Sequence, residues 1–121
     1  MILILGSKYD AITVAIRDYF KKNYVEHVIF WEEDLLIKTK ISYNVLNKGT
    51  ECFLTNNIKN KGFRLSDFNS ILVRLAGLWY LPKYLSPKDR DYASDELDAT
   101  LLSLLHEYKG LVVNPTKSAE E

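Results

Sequence analysis

At 121 residues with 47% hydrophobic content, the chain is long enough to form one domain with its own core, without a disulfide or metal staple. Sixteen Lys and Arg are cancelled by sixteen Asp and Glu, with no single-sign block, which argues against nucleic-acid binding by bulk electrostatics. The single cysteine excludes an internal disulfide framework and a cysteine zinc cluster.

"MILIL" is a continuous apolar run closed by Gly6, the pattern of a strand buried on both faces in a parallel sheet. It has no basic residues before it and is too short for a signal peptide or for a span of ~20 residues. A cytoplasmic location without a membrane is the expectation. Asp10 can cap a helix in which Ile12, Ala15, Ile16, Tyr19 and Phe20 recur at helical spacing, closed by Lys21, Lys22 and Asn23. "HVIFW" reads as a second strand, completing a right-handed strand–helix–strand unit.

In the middle, "KISYNVL" and "TECFLT" alternate apolar and polar residues, predicting a hairpin with one wet face and Cys52 in its core face. "NKG" and "NNIKNKG" read as turns, and "GFRL" as a short edge strand. "SILVR" is the next core strand, ending at Arg74. Ser86 then caps a long helix with Pro87 in its first turn and Asp89 and Asp91 near its start. Ala93, Leu97, Leu101, Leu104, Leu105 and Tyr108 make its apolar stripe, and Gly110 is a natural terminator. "LVV" is a last strand before Asn114-Pro115, and the tail "NPTKSAEE" reads as a natural end or a domain boundary. The order predicts a single α/β domain over 1–121: a Rossmann-like, mainly parallel sheet with helices on its faces and an inserted antiparallel hairpin.

Ligands in such sheets sit at the carboxyl ends of the strands. The loop "GSKYD", with Ser7, lies there, and its backbone amides could hold an anion. It is neither GxGxxG nor GxxxxGK[ST], so an ordinary strand-to-helix turn is the stronger reading. Glu32, Glu33 and Asp34 read as a solvated turn. His27 and His106 lack metal-ligand spacing, and His106 suits a helix C-terminus. No nucleophile elbow is present. Arg74 at its strand end is either a salt bridge to Asp95 or Glu96 or a clamp for a carboxylate or phosphate. Trp79 and Tyr80, in the loop that follows, either fold back on the domain or anchor an interface.

The strand-end arginine, the aromatic loop after it and "LSPKDRDYASDELDATLLSLLHEYKGLVVNP" together resemble the N-terminal, pre-ATP-grasp domain of ATP-grasp ligases. The resemblance is to the microviridin-type and grasp-with-spasm peptide maturases, and beyond them to the ribosomal-protein glutamate ligases. It covers the whole chain and is strongest over 71–115. In that family a second arginine or an asparagine often stands beside the strand-end arginine, where this chain has Leu75, and a tryptophan precedes the final asparagine, where it has Val112 and Val113. The resemblance implies a domain that is itself non-catalytic, with ATP and magnesium held by ATP-grasp domains downstream. Such an enzyme activates a carboxylate as an acyl phosphate for attack by an amine or hydroxyl of a peptide or protein. The domain would wall the substrate cleft, with Ser7, Arg74 and Asn114 as cleft residues. Trp79 and Tyr80 would sit at a domain or homodimer surface. The alternative is a self-contained α/β binding or protein-interaction domain.

Overall fold

The computed structural model describes residues 1–47, 49–57, 60–75 and 81–113. The chain runs β1 (Ile2–Gly6), α1 (Ala11–Lys22), β2 (His27–Trp31), then a 3-10 turn (Glu32–Asp34) leading into the short α2 (Leu35–Lys38). Next come β3 (Thr39–Leu46), β4 (Gly49–Asn56), β5 (Lys61–Arg64) and a second 3-10 turn (Leu65–Asp67). β6 (Ser70–Arg74), α3 (Pro87–Glu107) and β7 (Leu111–Val113) complete it.

Four strands make a parallel sheet in the order β2-β1-β6-β7. The chain steps one way from β1 to β2 and the other way from β6 to β7. With right-handed crossovers this places α1 and α3 on opposite faces. Side chains agree, because alternate strand residues point to alternate faces. Leu3, Leu5, Ile71 and Val73 share one buried cluster with Leu101, Leu104 and Leu105 of α3. Gly6, on the other face, lies against Thr13 of α1, and an added Cβ would stand 2.6 Å from the Thr13 methyl.

The antiparallel strands do not join this sheet. β3, β4 and β5 form their own three-stranded sheet. Cys52 and Leu54 of β4, together with Leu65, belong to the α3-side core, and Ile41 and Phe63 pack against it. Phe63 meets Phe30 of β2 edge-on at 6.3 Å and Phe68 at 5.9 Å, so aromatic contacts tie the two sheets. Lys40 and Asn44 are exposed as expected of a wet face, but the apolar face is covered only near its base: Ile41 packs on the core, whereas Val45 on the same face is 85% exposed.

Both long helices start where the sequence indicates. Asp10 accepts from the Ile12 amide, and Ser86 accepts from the Asp89 amide at 3.1 Å. The apolar stripe of α3 is buried at Leu101, Leu104, Leu105 and Tyr108. On α1 the inward face is centred on buried Thr13 instead, while Ile12 and Tyr19 are 54% and 62% exposed. This corrects the expected face: a helix over a strand carrying Gly6 approaches closely, and a small threonine rather than isoleucine fits the contact. Gly110 serves close approach as well, since any Cβ there would collide with the Tyr108 ring. The Tyr108 hydroxyl donates to the Phe68 carbonyl at 2.9 Å, fixing the end of α3 to the start of β6.

Candidate functional site at the carboxyl ends of the parallel strands

The loop after β1, the 3-10 turn after β2 and the end of β6 meet at one edge of the sheet. Their register explains the meeting, because Gly6 pairs with Trp31 on one side and Arg74 on the other. Three segments distant in sequence thus leave the sheet side by side.

Asp10 is the hub. One of its oxygens accepts from Arg74 Nε at 2.7 Å and from the Thr13 hydroxyl at 2.6 Å, while the other caps α1. Hydrogen bonding to Arg74, then to Thr13, holds the Asp10 carboxyl far below the ordinary carboxylate range, and Asp10 in turn raises Arg74. Arg74 therefore pairs with Asp10 and not with Asp95 or Glu96. The replacement follows from the fold: Arg74 points to the α1 face of the sheet, and α3 lies on the other.

The acidic turn is not a solvated one. Glu32 is 3% exposed. Glu33 accepts from the Ser7 hydroxyl and from the Lys8 amide at 3.0 Å. Asp34 holds the Lys8 ammonium at 3.0 Å and the Lys38 ammonium at 3.3 Å. The signal available in the sequence was the distance of "EED" from a strand end, which places carboxylates opposite the first loop.

Ser7 also accepts from the Tyr9 amide at 3.2 Å, and its carbonyl accepts from the Asp10 amide at 3.1 Å. The loop amides that could hold a phosphate are consequently bonded within the chain. The second Glu33 oxygen is buried with no partner among the described residues. Glu33 already takes the Ser7 hydroxyl and the Lys8 amide that an anion would need. These residues do not fit a nucleotide phosphate.

Of the anticipated cleft residues, Ser7 and Arg74 are brought to one loop, linked through Asp10. Asn114, Trp79 and Tyr80 lie outside the described residues. Beside the loop, Lys8, Ile29, Phe30, Trp31, Asp34 and Lys38 line part of a cleft of about 270 Å³. A larger cleft, about 380 Å³, lies at the opposite end of the sheet, with Glu51, Cys52, Glu107 and Tyr108 in its lining. Its chemistry is poorer: burial pushes the Cys52 thiol up, away from the reactive thiolate. Among the described residues no cluster of three metal-ligating side chains forms, and no helix is long and apolar enough to cross a membrane.

Comparison with solved structures places this architecture. A RiPP-associated ATP-grasp ligase from Chryseobacterium gregarium, in complex with ADP and a leader and core peptide, superposes with a TM-score of 0.70 at 21% identity. The match covers 92% of this chain and 34% of that one. The macrocyclase MdnC from Microcystis aeruginosa MRC, bound with precursor peptide MdnA, gives 0.76 at 12% identity over 96% of this chain and 36% of its own. The chain has the fold of a part of the RiPP ATP-grasp ligases. The macrocyclase MdnB from the same organism agrees, with a TM-score of 0.67 at 14% identity over 92% and 36%. The chain spans about a third of the length of these ligases. No protein-family model and no curated protein sequence matches it.

Proposed function

We propose that this chain is the N-terminal, pre-ATP-grasp domain of a cytoplasmic ATP-dependent ligase that joins a carboxylate to an amine or hydroxyl in a peptide. Similarity in fold over nearly the whole chain to a third of several peptide-modifying ATP-grasp ligases carries this reading. The domain supplies one wall of the substrate cleft at the carboxyl ends of β1, β2 and β6. ATP and magnesium belong to ATP-grasp domains downstream, in keeping with a first loop whose amides are taken up by Glu33 and Ser7. Arg74, paired with Asp10, is a positioning residue for that loop. The same reading assigns Asn114 a role in the cleft and Trp79 and Tyr80 a role at a domain or homodimer interface.

Two measurements test this. The coding sequence read past Glu121 should continue into an ATP-grasp segment with basic and acidic metal-binding positions; a stop codon there overturns the reading. Calorimetry of this chain with Mg-ATP should give no saturable heat, and micromolar binding would contradict the division of labour.

A further inference from the structure

The cleft of about 270 Å³ is lined by three consecutive residues of β2: Ile29, Phe30 and Trp31. Successive side chains of a strand point to opposite faces. Three in a row can line one cleft when it runs along the strand's edge. β2 ends the order β2-β1-β6-β7, and among the described residues no further strand pairs with its outer edge. The opposite wall comes from the base of the antiparallel sheet, Thr39 and Asn56, held there by the Asn57 amide donating to the Lys38 carbonyl at 2.8 Å. One end is closed by Lys8 and Lys38, which share the single carboxylate of Asp34. Each ammonium has three donors, so pairing with Asp34 does not exhaust either lysine, and both line the cleft. Glu33 turns the other way, onto Ser7 and the Lys8 amide.

From these features we propose that the outer edge of β2 takes up an extended peptide as an added strand, with a carboxylate side chain of that peptide held by Lys8 and Lys38. Main-chain hydrogen bonds to a sheet edge give such binding its affinity, and the flanking pockets give it selectivity. The proposal deepens the reading of the domain as a wall of a peptide cleft, and it names the wall.

The test uses the 121-residue chain, isotope-labelled, titrated with acetyl-Thr-Val-Glu-Val-Thr-amide and followed by amide NMR shifts. Saturable shifts should concentrate at Ile29, Phe30, Trp31 and Thr39. The Glu→Gln peptide, and separately the Lys8→Ala/Lys38→Ala chain, should each bind about tenfold more weakly, the scale of two partly exposed charge contacts. A peptide N-methylated on alternate amides should not bind. Equal binding by the methylated peptide, shifts centred elsewhere, or no saturation at millimolar peptide would overturn the proposal. Charged edge residues also keep sheets apart. If Lys8→Ala/Lys38→Ala instead dimerises with peptide affinity unchanged, the lysines are guards and the proposal fails. None of these readouts involves ATP, so a failed ligase reading, seen as a stop after Glu121, remains distinguishable from a failed peptide site.

Discussion

Asp10 has three partners, and each substitution there separates them. Asp10→Ala removes the α1 cap, worth about 1 kcal/mol, and strands Arg74, where a bond to a charged group adds about 1.5–3 kcal/mol. Urea unfolding should show a loss of about 3 kcal/mol. Asp10→Asn keeps a capping oxygen and should lose about half as much. The pH dependence has a definite sign. Asp10 is held below its unfolded value of roughly 3.9. Its pairing energy is therefore fully present above about pH 5 and is lost as pH falls through 4 towards the folded value. The stability gap between the native chain and Asp10→Asn should narrow on acidification below about pH 4; a constant gap would show that the charge does not matter. The cap at Asp10 is legible in the sequence because capping is local. Its bond to Arg74 is not, because the two are 64 residues apart and meet through the β1–β6 register. Gly6 is a second case. Gly6→Ala should cost about 1–3 kcal/mol through overpacking on Thr13, and less in a Thr13→Ala background, where the methyl and hydroxyl it strikes are gone.

At the scale of elements, apolar runs and alternation locate every strand among the described residues, and Ser86-Pro87 and Asp10 locate the starts of the two long helices. Two things escape that reading. The segment Glu32–Lys38 folds as a 3-10 turn and a short helix whose carboxylates find partners in Ser7, Lys8 and Lys38; Lys38 is a local i,i+4 partner of Asp34, but Ser7 and Lys8 come from the first loop, 25 or 26 residues away, and cannot be inferred from neighbours in sequence. On α1, periodicity alone offers two apolar faces, and the close approach at Gly6 selects the one with Thr13. Thermal melts should record the difference. Ile12→Ala, at an exposed position, should change stability by less than about 0.5 kcal/mol. Leu104→Ala, at the centre of the α3 core and 1% exposed, should cost about 3 kcal/mol. A large loss at Ile12 would mean that the outer face of α1 is covered in solution.

For the whole molecule, the polar residues at the strand ends bind one another more than they present themselves. Ser7, Glu33, Asp10 and Arg74 form a braced rim, while Lys8 and Lys38 keep donors to spare. Such bracing suits the wall proposed above, because it sets the shape of the edge. The sequence alone points to that edge through the order of its elements, and to a resemblance with ATP-grasp ligases through the run from Ile71 to Pro115. Which polar groups are spent and which are available depends on pairs brought together by the sheet, and these become visible once the register is known.

The register has a consequence for how the chain comes into being. β1 lies between β2 and β6, and Ile2 pairs with His27 and with Ser70. During synthesis the first neighbour is available soon after β1 is made, but the second emerges only after the whole antiparallel sheet. Until then Ile2–Gly6, buried through most of its length in the finished fold, has one flank unoccupied. β1 therefore cannot complete its pairing until β6 has been made. A pause in synthesis before Ser70 would lengthen the interval in which that flank has no partner strand.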